Sequence, residues 1–413
     1  MEKDERTPVA AHSMSQHATG NFQRELAMQH WESTAENAPM WGKFNRRNCL
    51  HRMAAGAIGA SLLNCTETSD AADVEWLARV RQPPVVIPRD NTGYLEPLLI
   101  DTDGRPIKTL SAWKKQRSEL RNRWLKFLGP MPEQRPPVEL KVLREDRIDG
   151  CVRQLVRYES EAGLPVEGYL LRPAKSLNAD RCPAIVALHQ TTRDSIEQIA
   201  GVVGPEDQQL GLKLCRRGFI VFCPRCFLWQ DVKKYTEAVE RFRARHPKTL
   251  GMHKMLYDAI RGVDVLASLD VVDKQRIGAV GHSLGAKETL YLAAFDERIR
   301  AAVASEGGTG FKSTNWDAPW YLAKQINEPN FKLNHHQLLA LIAPRPFLIV
   351  AGEKGRGSAD GARSWPYLQA AEPVWKLHGK PIRLGIYNHG EGHSVSPKTY
   401  RHLEDWLVTY LAE

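Results

Sequence analysis

Gly281-His282-Ser283-Leu284-Gly285 is a G-x-S-x-G pentapeptide set between an apolar run, "RIGAV", and an Ala/Leu-rich run, "GAKETLYLAAF". In that setting the glycines let the chain pass sharply from strand to helix. The Ser283 hydroxyl is then held above a sheet edge, as a nucleophile requires. The N-terminus of the helix beneath it favours developing negative charge. Short Gly/Ser patterns also occur in ordinary turns, so the reading depends on finding a base, an acid and an oxyanion hole elsewhere in the chain.

The base is expected after the last strand, where "LGIYNHGEGHSVSP" offers His389 and His393. His393 is the expected base, because its loop precedes the final helix and can carry an imidazole over the sheet edge. His389 lies nearer the strand and is expected to shape the loop. A neutral imidazole near pH 7 takes the serine proton and returns it to the leaving group.

Two carboxylates compete for the acid. In many folds of this kind the acid follows the strand read here as "PFLIVAG", yet Gly355 stands where an Asp would be natural, with Glu353 adjacent and Asp360 further on. "VASEGGTG" instead puts Glu306 at the carboxyl end of the preceding strand. Both positions converge on the edge where doubly wound sheets build their sites. Glu306 is preferred and Asp360 is the alternative; a capping role in a Gly turn is the plainer reading of Glu306. The oxyanion donors expected are the backbone N–H groups of Leu284 and of Gln190, just after "AIVALH", with Thr191 beside it. Losing one such donor typically costs about 3 kcal/mol of transition-state stabilisation.

These parts need a sheet to hold them. "CVRQLVRYES" and "VEGYLLRPA" read as a hairpin turning at Gly-Leu-Pro. "CPAIVALH" is a continuous apolar run, as in a strand buried on both faces. "FIVFCP", "RIGAVG", "IRAAVAS", "PFLIVAG" and "PIRLGIY" supply further strands. "QQLGLKLCRRG", "LYDAIRGVDVLASL", "GAKETLYLAAF", "WPYLQAAEPVWKLHG" and "TYRHLEDWLVTYLAE" read as the intervening and closing helices. A leading hairpin followed by β-α repeats implies an α/β fold, a mostly parallel doubly wound sheet with helices on both faces. Ahead of it, "SAWKKQRSELRNRWLKFLGP" has helical spacing through Trp113, Leu120, Trp124 and Leu128, stopped by Gly129-Pro130. The expected organisation is a polar leader (1–39), an export signal (40–71), a helical extension (72–145) and the catalytic domain (146–413).

The signal reading rests on Arg46-Arg47 followed by an apolar, Ala/Gly-rich run from Met53 to Leu63 and then small residues, the order of a twin-arginine signal. Met40 would then be a better start than Met1. A surface amphipathic helix is the competing reading. The run is too short to span a bilayer. An exported, periplasmic or extracellular location is therefore expected, with a cytoplasmic one as the alternative.

The 413 residues carry 57 Lys and Arg against 48 Asp and Glu, a formal charge of +9. Those charges are mixed in sign, as in "RFRARHPKTLGMHK", with no basic stripe interleaved with aromatics, which argues against nucleic-acid binding. Seven cysteines at irregular spacing do not form a disulfide framework. Cys223-x-x-Cys226 without a second Cys or His pair is a poor zinc signal. Two buried cysteines at a strand end are expected there.

With these residues in hand, the chain resembles the α/β-hydrolase superfamily from about Cys151 to Glu413. More narrowly, "GHSLGAKETLYLAAFDERIRAAVASEGG" and "HHQLLALIAPRPFLIV" are similar to bacterial esterases grouped around glucuronoyl esterases, acetyl xylan esterases and dienelactone hydrolase-like proteins. The resemblance implies an α/β-hydrolase fold. In glucuronoyl esterases the acid can be a Glu after the strand that follows the nucleophile, and Glu306 matches. The same family places a Lys one turn past the nucleophile to contact a sugar, and Lys287 matches. Those esterases usually carry Cys-Ser-Arg at the elbow, where this chain has His282-Ser283-Leu284. That departure moves the expected substrate from a uronate ester toward acetyl or other small esters.

"STNWDAPWYL" is a candidate substrate wall, in which Trp316 and Trp320 could stack on a sugar face and Asp317 could add a polar contact. Core packing beneath an inserted loop is the plainer reading of both rings. The expectation is a serine carboxylic-ester hydrolase working through an acyl-enzyme on a carbohydrate ester, without metal or organic cofactor. Peptidase or dienelactone hydrolase-like activity is the rival within enzymes. A carbohydrate-binding homologue without turnover is the rival outside them.

Overall fold

The structure is a computed structural model that describes residues 73–86, 94–174, 181–355 and 357–412. The leader and the export signal expected from the sequence lie outside these residues. In chain order the elements are α1 (Glu75–Val80), α2 (Leu110–Leu128), β1 (Lys141–Ile148), β2 (Cys151–Glu161), β3 (Leu164–Pro173) and β4 (Cys182–Leu188). Then come α3 (Ile196–Ile199), α4 (Leu210–Arg217), β5 (Ile220–Pro224), α5 (Tyr235–Arg245), α6 (Gly251–Ser268), β6 (Val272–His282) and α7 (Leu284–Phe295). The chain closes with β7 (Ile299–Ser305), α8 (His335–Ile342), β8 (Phe347–Ala351), α9 (Trp365–Leu377), β9 (Leu384–Asn388) and α10 (Pro397–Leu411).

The nine strands form one sheet in the order β1-β2-β3-β5-β4-β6-β7-β8-β9. The β1-β2-β3-β5 pairs are antiparallel and every pair from β5 to β9 is parallel. Both faces are covered. Along β4, Ala184, Val186 and Leu188 enter one apolar cluster while Ile185 and Ala187 enter the other. This is why the strand reads as an unbroken apolar run rather than an alternating one.

The hairpin is tighter than the sequence suggests. Leu164 and Pro165 belong to β3, and the turn is made at Ala162 and Gly163, where Gly163 takes φ 70°. β1 was not expected: its exposed, charged surface hides the period-2 pattern that would mark an edge strand. α2 buries Trp113, Leu120, Trp124 and Leu128, the four residues that set its spacing. It is bound to the sheet domain, since Trp124 Nε1 donates to Gln337 Oε1 of α8 and Arg117 to the Leu341 carbonyl.

All five described cysteines, among them Cys223 and Cys226, are free and buried. Among the described residues no helix is long and apolar enough to cross a membrane. No group of three potential ligands that could hold a metal occurs among them either.

Candidate active site

The carboxyl ends of β4, β6, β7, β8 and β9 carry every residue that could do chemistry here. Ser283 is the cap residue between β6 and α7, with φ 58° and ψ −114°. A non-glycine residue in that region is strained, and such strain concentrates at functional turns. The flanking glycines are required by close approach. A Cβ on Gly281 would lie 2.2 Å from the Gly285 carbonyl, and one on Gly285 would lie 2.0 Å from the Leu188 carbonyl. The second contact presses the first turn of α7 against the end of β4. Leu284 N–H, at the first helical position, is one of the amides a helix leaves unpaired. Gln190 lies in the loop that immediately follows β4.

That loop is pinned by His189. Its Nδ1 donates to the Gln190 carbonyl at 2.9 Å and its Nε2 accepts the Cys226 N–H at 3.1 Å. Burial pushes this imidazole down to about 4, so it stays neutral. The Gln190 side chain donates to Gln198 at 3.0 Å.

Strand register places Glu306. His282 pairs with Ser305, and Ser305 pairs with Val350. One position further on, Ser283 N–H donates to the Ser305 carbonyl and Glu306 N–H to the Val350 carbonyl. Glu306 is 1% exposed and holds φ 58°, the same strained sign as Ser283. Its carboxylate lies over Gly352, where a Cβ would stand 2.1 Å from Oε1. Gly352, directly after β8, is therefore the vacated position that matters. Gly355, which the sequence suggested, has nothing within 4 Å of its Cβ position.

Two imidazoles face Glu306. His393 Nδ1 lies 3.7 Å from Oε2 and His389 Nε2 lies 3.4 Å from Oε1. Both contacts are longer than a well-formed hydrogen bond. Glu306 Oε1, His389 Nε2 and His393 Nδ1 are all buried atoms with no hydrogen-bond partner among the described residues. Oε2 accepts the Ala359 N–H at 3.0 Å. Burial pulls the Glu306 pKa up, but the two imidazoles and the Ala359 amide outweigh it and hold the carboxyl down at about 2.

The His393 ring packs against His282, the residue before Ser283, with centroids 4.5 Å apart and the planes tilted by 38°. His282 donates to or accepts from Ser305 Oγ at 3.0 Å, and burial with His393 nearby pushes its pKa down to about 3. Ser283, His393, His389 and Glu306 are thus brought to one end of the sheet.

Asp360 is not part of that group. It is 2% exposed and accepts the Gly308 N–H (2.9 Å), the Thr309 N–H (2.7 Å), the Thr309 hydroxyl (3.0 Å) and the Ser364 hydroxyl. Glu353 accepts from Ala362 N–H and from Asn388 Nδ2, tying the loops after β8 and β9 together.

Lys287 and the aromatic wall require correction. Lys287 is 4% exposed, with Nζ donating to the Gly307 carbonyl at 2.6 Å and lying 4.0 Å over the Trp316 ring. Burial lowers its pKa well below the usual lysine value, with Asp360 opposing. Trp316 is 1% exposed, donates from Nε1 to the Gly308 carbonyl, and packs among Tyr291, Tyr321 and His335. Its ring belongs to the core. Trp320 is half-buried against Tyr235 and Tyr321, and Asp317 is exposed. The Leu284 side chain is buried, so it points into the core rather than toward a bound ester.

A strained serine between strand and helix, on a mostly parallel sheet in this strand order, defines an α/β-hydrolase-fold protein. Residues 166–336 match the family model described as "Dienelactone hydrolase family". It is 26% identical over 257 residues to YtaP of Bacillus subtilis, named a hydrolase, covering 58% of this chain and 82% of that protein. A 4-O-methyl-glucuronoyl methylesterase of Phanerochaete carnosa is 22% identical over 375 residues, covering 79% of this chain and 83% of that one. The solved glucuronoyl esterase from Solibacter usitatus shares the fold at TM-score 0.65 and 17% identity, over 78% of this chain and 99% of that one.

Proposed function

We propose that the protein is a serine carboxylic-ester hydrolase acting on carbohydrate esters. One observation carries the reading: at the end of the sheet that holds the strained Ser283, a buried Glu306 faces two imidazoles, and Glu306 Oε1, His389 Nε2 and His393 Nδ1 are buried there without a hydrogen-bond partner among the described residues. Unsatisfied buried polar atoms are rare in native proteins and call for an explanation such as catalysis. Catalytic contacts are often long before substrate binds and shorten in the complex.

In this reading Ser283 Oγ attacks the ester carbonyl carbon while His393 Nε2 takes its proton. His393 Nδ1–H stays directed at Glu306, which stabilises the imidazolium. The Leu284 and Gln190 N–H groups receive the oxyanion. The carbon–alkoxy bond breaks, the alcohol leaves with the proton from His393, and an acyl-enzyme remains on Ser283. Water then attacks the acyl carbon, His393 takes its proton and returns it to Ser283 Oγ, and the acid departs. The family match and the named activities of the relatives support hydrolysis of an ester.

The substrate follows from the elbow. With Leu284 buried, no cationic side chain from that position reaches the ester, which favours an acetyl or other small acyl ester on a sugar. The methylesterase relative favours a uronate methyl ester as the second substrate. Export of the enzyme to such polymers is part of the same proposal.

The test is 4-nitrophenyl acetate turnover by the full chain and by Ser283→Ala. A loss of about 10⁴-fold or more in kcat is expected, and full activity in the variant would overturn the reading. Acetylated xylo-oligosaccharides and methyl glucuronate esters, compared by kcat/KM, rank the two substrates.

A further inference from the structure

Glu306 meets a second imidazole that the proposed reaction does not use. His389 stands at the end of β9, where its N–H donates to the Ala351 carbonyl at 2.9 Å. Its side chain is 4% exposed. Nδ1 accepts the Glu391 N–H at 3.1 Å. A backbone amide can only donate, so Nδ1 carries no proton and the neutral ring bears its hydrogen on Nε2. That hydrogen is on the side of Glu306 Oε1, 3.4 Å away. Nδ1 is thus committed to its own loop, and Nε2 faces the carboxylate. His389 has no nitrogen left to exchange a proton with Ser283.

His393 differs on each point. Its Nδ1 addresses the other carboxylate oxygen, its ring packs tilted against His282, and its side chain is 15% exposed. One carboxylate thus holds two imidazoles, and its two oxygens are divided between them.

Resting on the proposed esterase reading, we infer that His389 is a positioning residue. Its Nε2–H holds Glu306 Oε1, fixing the carboxylate plane so that Oε2 is directed at His393. The Glu391 amide sets the tautomer that makes this possible. Gly352 leaves the space in which the carboxylate lies, and no other side chain among the described residues donates to Oε1. The titratable groups around His389 are Glu306 after β7, His282 at the end of β6, Glu353 after β8, and His393 and Glu391 of its own loop.

Without the Nε2–H donor, the Glu306 carboxylate is no longer held in that plane, and its pairing with His393 changes. The inference therefore makes a kinetic statement that a merely structural role would not.

The experiment uses the full chain with 4-nitrophenyl acetate and compares wild type, His389→Leu and His389→Gln over pH 4–9. In His389→Leu, kcat is expected to fall about 10- to 100-fold at little change in KM, as for a misdirected catalytic group. The acidic limb of kcat/KM is expected to move from its wild-type position. Gln can return an N–H donor near the Nε2 position, so His389→Gln is expected to recover most of kcat and bring the limb back toward wild type.

A His389→Leu variant with wild-type kcat and an unmoved limb overturns the inference while Ser283→Ala still tests the esterase reading separately. Equal impairment in the Leu and Gln variants also overturns it, because the donor would then not matter. Inactivity of His389→Leu matching that of Ser283→Ala, in protein with a native melting transition, would make His389 the base and overturn it as well.

Discussion

Glu306 and Asp360 are the two buried carboxylates at this end of the sheet, 1% and 2% exposed, and they are bonded in opposite ways. Asp360 is saturated by two backbone amides and two hydroxyls, donors that cannot take up a proton. Glu306 has one amide and faces two imidazoles, groups that, unlike an amide or a hydroxyl, can carry an added proton. Burial alone does not separate a structural carboxylate from a chemical one; the kind of donor does.

Asp360 also has a clear task. The segment just after Glu306 has its polar groups taken up by buried side chains: Lys287 on the Gly307 carbonyl, Trp316 on that of Gly308, His335 on that of Thr309, and Asp360 on the Gly308 and Thr309 amides. It anchors the segment from which Glu306 projects.

The sharpest way to break this contrast is a pair of variants. Glu306→Gln should lower kcat by about 10³- to 10⁴-fold, as when a triad acid loses its charge, with little change in melting. Asp360→Ala should instead lower stability by about 3 kcal/mol, because it strands buried amides, while kcat per folded molecule falls far less. Steady-state kinetics beside thermal or urea unfolding checks both. If Asp360→Ala is inactive at full stability while Glu306→Gln remains active, the roles are reversed.

That Ser283, His393 and Glu306 would meet at one end of the sheet was legible because each is announced locally, by glycine spacing or by position after an apolar strand. Gly352 was not, since the crowding that excludes a Cβ comes from Glu306, which arrives from another strand. The burial of Trp316 was hidden for a related reason. "STNWDAPWYL" has no period, and tryptophan suits a sugar platform and a core equally well. Its burial is decided by Tyr291 of α7 and His335 of α8, elements its own sequence does not reveal. Lys287 follows Trp316 into the interior, so a sequence match to a sugar-contacting position does not carry the exposure that contact requires.

A second, smaller effect separates Glu306 from the neutral histidines around it. Burial holds His282 and His335 at about 3, below the ordinary 6.5. The unfolded chain therefore binds these protons first. The histidine contribution is complete above about pH 6.5 and is lost as pH falls toward 3. The Glu306 carboxyl, opposed by burial but lowered by its imidazoles, sits at about 2 against an ordinary 4.5. Its contribution is complete above about pH 4.5 and is lost only between there and pH 2. Melting curves should thus decline from pH 6.5 in wild type and in Glu306→Gln alike, and the two should differ in slope only below about pH 4.5. A difference that opens already at pH 6 would mean that the carboxylate titrates with the imidazoles as one unit.

The smallest expected effect concerns Lys287. Replacing a buried, partnered cation by an apolar chain of similar length often changes stability little, because lost contacts are offset by relief of desolvation. Lys287→Met leaves the Gly307 carbonyl without its donor but keeps packing against the Trp316 face. Stability should change by about 1 kcal/mol or less, and kcat on 4-nitrophenyl acetate by about threefold or less. The decisive comparison is a carbohydrate ester against that simple ester. A lysine that serves the Glu306 segment affects kcat on both to the same degree, whereas one that contacts sugar raises KM for the carbohydrate ester alone. With Nζ occupied by Gly307 and Trp316, the equal effect is expected; a selective KM rise would show that the 307–316 segment opens to admit the substrate.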